Sequence, residues 1–185
     1  MTYYSGKELA ASFRTVRGNT ITAATEIPED QYGFRAAPGT RTIAEQLVHI
    51  ASAPRIQEQL QKVERRTTLQ GFNFPALFAE ILAEEKKTRT KAEVLALLEE
   101  RGNSFASWLE TLNDDFLSEQ VEMPAGASPA TKSRFEMLLS IKEHEMHHRA
   151  QVMLAQRMIG IVPHGTRAHA ERMAQMQKQA EAAKA

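Results

Sequence analysis

Cysteine is missing from all 185 residues. That excludes disulfides, thiolate metal sites and any cysteine nucleophile supplied by the protein itself, while leaving the compartment open. An excess of one charge is missing too. Lys plus Arg and Asp plus Glu both number 23, so no net field draws the molecule to nucleic acid or an anionic membrane. No apolar run approaches the ~20 residues that span a bilayer. The opening Met-Thr-Tyr-Tyr-Ser-Gly-Lys-Glu has neither the basic nor the apolar region of a signal peptide. The expectation is a soluble, cytoplasmic protein with no nucleic-acid or membrane partner. No Gly-x-Ser-x-Gly, Walker or Rossmann glycine pattern occurs, so serine hydrolysis and nucleotide binding have no anchoring motif. Internal repeats and strand-like alternation are also absent, which points to an all-α fold.

What is present suffices for one domain. The chain is 42% apolar and 25% charged, a globular balance, and long enough to bury most of its unfolded surface. Four long segments carry helical periodicity. Each opens with a Ser or Thr followed three residues later by Glu, a pair able to satisfy two free backbone donors reciprocally. These pairs are Ser5–Glu8, Thr42–Glu45, Thr90–Glu93 and Ser133–Glu136. Helix one covers about residues 6–26 and helix two about 42–64, with a kink at Pro54. Helix three covers about 91–112 and helix four about 133–160. The connections around Pro28–Gly39 and Asn113–Pro129 read as long loops, and Leu77–Leu82 as a short amphipathic piece. The basic run Lys86, Lys87, Arg89, Lys91 stands among glutamates and reads as a solvated face or linker. The expected architecture is a four-helix bundle over residues 1–164 with a polar, helix-prone extension over 165–185, frayed or packed through Met173 and Met176.

Helix four is the most informative segment. One face carries Ile141, His144, His148, Val152, Ala155 and Ile159; the opposite one carries Phe135, Leu139, Met146 and Met153. A helix that is apolar on two sides needs partners on both, and a second copy of the chain is the expected cover for the second row, ahead of the C-terminal tail or the 72–83 segment folding back over it. Residues four apart share a helix face with Cβ atoms about 6 Å apart. His144 and His148 can therefore converge on one metal ion. His49, the other histidine set mid-helix on an apolar row, is the candidate third ligand. Three neutral imidazoles bind zinc, nickel, cobalt or copper and leave coordination positions open for water, thiol or substrate. His147 points about 100° away from His148 and reads as a neighbour of the site or a surface group; His164 and His169 read as solvent-exposed. Glu145-x-x-His148 matches half of a di-iron carboxylate motif, but there is no second copy. Glu45 reads as the capping partner of Thr42.

Residues 32–51, from Tyr32-Gly-Phe-Arg through Leu-Val-His49-Ile-Ala, resemble the loop and second helix of DinB-like proteins. His144-Glu-Met-His-His148-Arg-Ala-Gln resembles their fourth-helix signature, with Ala150 where the family usually has glycine. The likeness runs over about residues 6–162. It implies a four-helix bundle with a long second connection, His49, His144 and His148 as ligands of one divalent transition metal ion (zinc or nickel foremost), and frequently a homodimer. The family's characterised enzymes use a metal-bound low-molecular-weight thiol for transfer or isomerisation, and many relatives are called metal-dependent hydrolases. Three readings follow. In the first, the metal activates an exogenous thiol toward a small electrophilic substrate; in the second, it activates water for hydrolysis; in the third, the protein binds metal or ligand without turnover. The resemblance places thiol transfer first, and no general base is assigned.

Overall fold

The structure is a computed structural model that describes residues 4–183. The first three residues of the N-terminal segment and the last two of the C-terminal extension lie outside the described residues. Four long helical runs form the bundle: α1 (Gly6–Glu26), α2 (Ile43–Ser52), α5 (Lys91–Glu110) and α7 (Arg134–Met158). α1 packs on α5 and α7, while α2 packs on α5, α7 and α4 (Phe74–Glu85). Pro54 breaks helix two where expected. A short α3 (Pro54–Gln57) and a π-helical turn (Glu58–Val63) continue it; proline lacks the amide that would extend α2.

Complete reciprocal caps form at Ser5–Glu8, Thr42–Glu45 and Thr90–Glu93. At α7 only half of the pair forms: Ser133 accepts from the Glu136 amide, while the Glu136 carboxylate pairs with Lys132. Two apolar clusters fill the ends of the bundle, and a third is made of Leu60, Leu69, Val121 and Met137. Leu9, Phe13, Phe105, Leu109, Leu138 and Ile141 fill one end, with the Phe13 and Phe105 rings edge to face at 5.0 Å. Ala24, Leu47, Ile50, Leu98, Val152 and Ala155 fill the other.

A buried polar layer joins the two ends. Arg17 Nε and Nη2 donate to Glu145 at 2.9–3.1 Å, and Thr20 Oγ1 donates to the same carboxylate at 2.7 Å. Arg17 Nη1 donates to the Leu98 carbonyl at 2.7 Å. The guanidinium needs room that only glycine leaves on α5: a Cβ on Gly102 would meet Arg17 Cγ at 2.9 Å. Glu145 thus faces Arg17 in the interior, consistent with the missing second half of a di-iron motif.

Three sequence expectations need correction. The stretch Asn113–Pro129 is not all loop. Asn113 caps α6 (Asp114–Ser118), whose Phe116 and Leu117 are buried, and β1 (Gln120–Glu122) pairs antiparallel with β2 (Thr131–Ser133). Strands of three residues are too short to show alternation in sequence. The extension is helical as expected, forming α8 (His164–Ala182), but it is not packed through Met173 and Met176: it buries no residue and both stay exposed. His164 is half-buried rather than exposed, with an unpartnered Nδ1. Among the described residues no helix is long and apolar enough to cross a membrane.

Candidate metal centre

His49 lies two turns into α2, behind the Thr42–Glu45 cap that fixes where the helix begins; His144 and His148 occupy successive turns of α7. The bundle brings the three imidazoles together. Their Nε2 atoms form a near-equilateral triangle: 3.1 Å from His49 to His144, 3.2 Å from His49 to His148, and 3.1 Å from His144 to His148.

The other ring nitrogens of His49 and His148 fix what two of these atoms are, while His144 Nδ1 is buried without a partner. His49 Nδ1 donates to Glu85 Oε1 at 2.7 Å, and His148 Nδ1 donates to Gln151 Oε1 at 2.8 Å. With the proton on Nδ1, each Nε2 carries a bare lone pair. Lone pairs facing one another across 3.2 Å repel unless a cation lies between them. Bonds of ~2.0–2.1 Å to nitrogens at this spacing subtend roughly 100°, between octahedral and tetrahedral values. The donor set therefore fits a divalent transition metal, and these three histidines could hold one.

Burial tunes the ring nitrogens in the same sense. It lowers the His144 pKa to about 4, helped by the nearby His148 and His49. Burial lowers that of His148 as well, against the opposing Gln151 hydrogen bond. Burial thus favours the neutral form of both rings, the form that ligands need. Burial alone would raise the Glu85 carboxyl, but hydrogen bonds from His49 and Arg41 outweigh it and hold Glu85 below the ordinary carboxylate range. Arg41 Nε donates to Glu85 Oε2 at 2.6 Å, which completes an arginine–carboxylate–histidine chain.

Glu85 was missed in the sequence, where it stood at the head of a charged run. The signal was its register: Leu77, Ile81 and Glu85 follow one another every four residues on α4, and all three are buried. The run beyond it divides. Lys86 and Lys87 are exposed, as expected of a solvated face; Arg89 pairs with Glu84, and Lys91 caps the Thr25 and Ile27 carbonyls at 2.7 Å. Glu45 caps Thr42 as expected. His147 is exposed, in ring contact with His148 at 4.8 Å and 3.3 Å from the Gln151 amide nitrogen.

The sequence profile of the DinB superfamily matches residues 12–152. The chain belongs to the DinB superfamily. No curated protein matches the sequence. Among solved structures, YfiT from Bacillus subtilis, described as a probable metal-dependent hydrolase with an unusual four-helix bundle topology, is 19% identical. Its TM-score is 0.65, with 87% of this chain and 91% of YfiT covered. The mycothiol-dependent maleylpyruvate isomerase is 16% identical with a TM-score of 0.61, over 82% of this chain and 63% of the isomerase. ClbS, a colibactin self-resistance protein solved with double-stranded DNA, is 13% identical with a TM-score of 0.62, over 85% and 98%. At these identities the likeness establishes the DinB-like bundle alone.

Proposed function

We propose that this DinB-superfamily chain is a metal-dependent enzyme that uses one zinc or nickel ion, held by His49, His144 and His148, to activate an exogenous low-molecular-weight thiol for transfer to a small electrophile. The observation that carries the reading is the triangle of three Nε2 atoms, those of His49 and His148 left unprotonated by the Nδ1 bonds to Glu85 and Gln151. Bound there, the ion supplies a Lewis acid with free positions, able to lower the pKa of a ligand that enters them.

The chain's own residues do the rest. Glu85 holds His49 in one tautomer and orientation, and Arg41 holds Glu85. The Arg17–Glu145 pair locks α1 to α7 one residue from His144. Without cysteine, the nucleophilic sulfur has to be a co-substrate. The thiol-dependent isomerase among the structural relatives supports this reading.

Hydrolysis by water activated at the same ion is the second reading, favoured by YfiT. ClbS weighs only weakly against the expectation that nucleic acid is not a partner. We retain the homodimer, on a different surface. Phe135 is covered within the chain by Tyr4, ring centroids 5.5 Å apart, and Leu139 packs into the core. What stays exposed on α7 is Met146, Ala150, Leu154 and Met158, four residues apart and in line.

The test is a turnover screen of zinc- and nickel-loaded protein against small electrophiles and esters, with and without thiol. Consumption of electrophile that requires both thiol and metal supports transfer. Thiol-independent ester cleavage supports hydrolysis, and metal binding without any turnover overturns both.

A further inference from the structure

Beside the triad lies a cavity of about 730 Å³, walled by the loop before α2, the start of α2, the end of α4 and one side of α7; His148 and Glu85 are part of its lining. The loop is pinned in place. Arg35 pairs with Thr42 as an isolated bridge, and its guanidinium bonds the Thr40 carbonyl. The cavity is therefore formed before any ligand arrives, and its size suits a small organic molecule.

Its walls differ in character. α7 contributes His148 and Gln151 at the end nearer the triad and the apolar Val152, Leu154, Ala155 and Met158 beyond them. The ionised side chains in the lining are Arg35, Arg41 and Lys86 against Glu45 and Glu85, three cations to two carboxylates. Arg35 pairs with Glu45 at 3.0 Å and Arg41 with Glu85 at 2.6 Å. Lys86 remains: among the described residues its ammonium has no ion pair or hydrogen bond, so one positive charge in the lining is uncompensated.

Gln46 adds a second, independent sign. It lines the cavity at only 8% exposure, and its amide Nε2 is buried with no hydrogen-bond partner. Buried amides are almost always paired in folded proteins, and this donor, closed off from water as it stands, gains a partner if the side chain turns toward an acceptor held in the cavity.

We propose that the cavity binds a small organic monoanion with an apolar body, its charge drawn by Lys86, an acceptor oxygen on the Gln46 amide, and its body against Val152 and Ala155. This molecule would be the second substrate of the reaction proposed above, and in that role the inference rests on that reading.

The binding itself is tested apart from the metal. Two fluorescent probes of nearly equal shape, the anion 8-anilinonaphthalene-1-sulfonate and the neutral N-phenyl-1-naphthylamine, are titrated into metal-free and zinc-loaded full-length protein. The sulfonate is expected to bind at one site per chain and more tightly than the amine. Lys86→Glu, at an exposed position, should weaken the sulfonate at least ten-fold and leave the amine unchanged. Gln46→Leu should weaken the sulfonate several-fold while its far-ultraviolet circular dichroism stays that of the wild type. Equal affinity for the two probes, or a sulfonate affinity untouched by Lys86→Glu, would overturn the proposal. Tight binding by a protein that fails to hold zinc would keep the cavity and remove the metal reading.

Discussion

His49 Nδ1 and Glu85 Oε1 lie 2.7 Å apart, and this hydrogen bond ties the metal-facing helix α2 to the end of α4. It fixes His49 with its proton on the nitrogen that faces away from the triangle. Outer carboxylates of this kind typically change metal affinity by ~10–100-fold. Glu85→Ala should therefore weaken zinc binding by about that factor in a chelator competition, and Glu85→Gln, which retains an acceptor, by less. Unchanged affinity in Glu85→Ala would mean that the bond does not orient the ligand.

The Arg17–Glu145 pair, 4% and 1% exposed, gives a stability test. Removing one partner leaves the other buried and charged, a loss of roughly 3–5 kcal/mol. Glu145→Leu should lower the urea midpoint accordingly. Arg17→Met combined with Glu145→Leu should lie well above the sum of the two single losses, because no lone charge remains. Strictly additive losses would contradict a direct pairing.

The pH dependence of the metal-free protein follows from His144. Its pKa falls from 6.5 in the free side chain to about 4 in the fold. Between those values the unfolded chain takes up a proton that the folded chain does not, so stability rises with pH. Metal-free protein should be most stable above pH 6.5 and lose stability as pH falls toward about 4, with His148 adding in the same direction. Urea midpoints measured across that range check it, and a flat profile would count against the burial of these rings.

Much of this was legible in the sequence. Apolar rows and caps located all four bundle helices within a few residues, and the i, i+4 spacing of His144 and His148 put two imidazoles on one face of helix four. Three kinds of information were not legible. The three-residue strands β1 and β2 are shorter than a readable alternation. The carboxylate Glu85 and the guanidinium Arg17 continue apolar rows, Leu77–Ile81 and Leu9–Phe13, yet a charge at such a place reads as the end of a row rather than as a buried partner. Finally, the second apolar row of helix four reads as a dimer surface, because periodicity shows which residues share a face and not that Tyr4 covers Phe135.

Assembly is checked on the stripe that does remain exposed. Leu154→Glu with Met158→Glu should convert a dimer into a monomer in sedimentation velocity without altering metal content. A wild-type protein that sediments as a monomer at micromolar concentration would remove the dimer.

The metal triangle is tested most directly by elemental analysis of purified chain, wild type beside His144→Ala, after loading with zinc or nickel and removal of excess ion. Wild-type protein should carry about one ion per chain, and His144→Ala, left with two imidazoles, should lose nearly all of it while remaining helical. Full occupancy in His144→Ala, or a wild type that holds no ion, would contradict a metal site built from His49, His144 and His148.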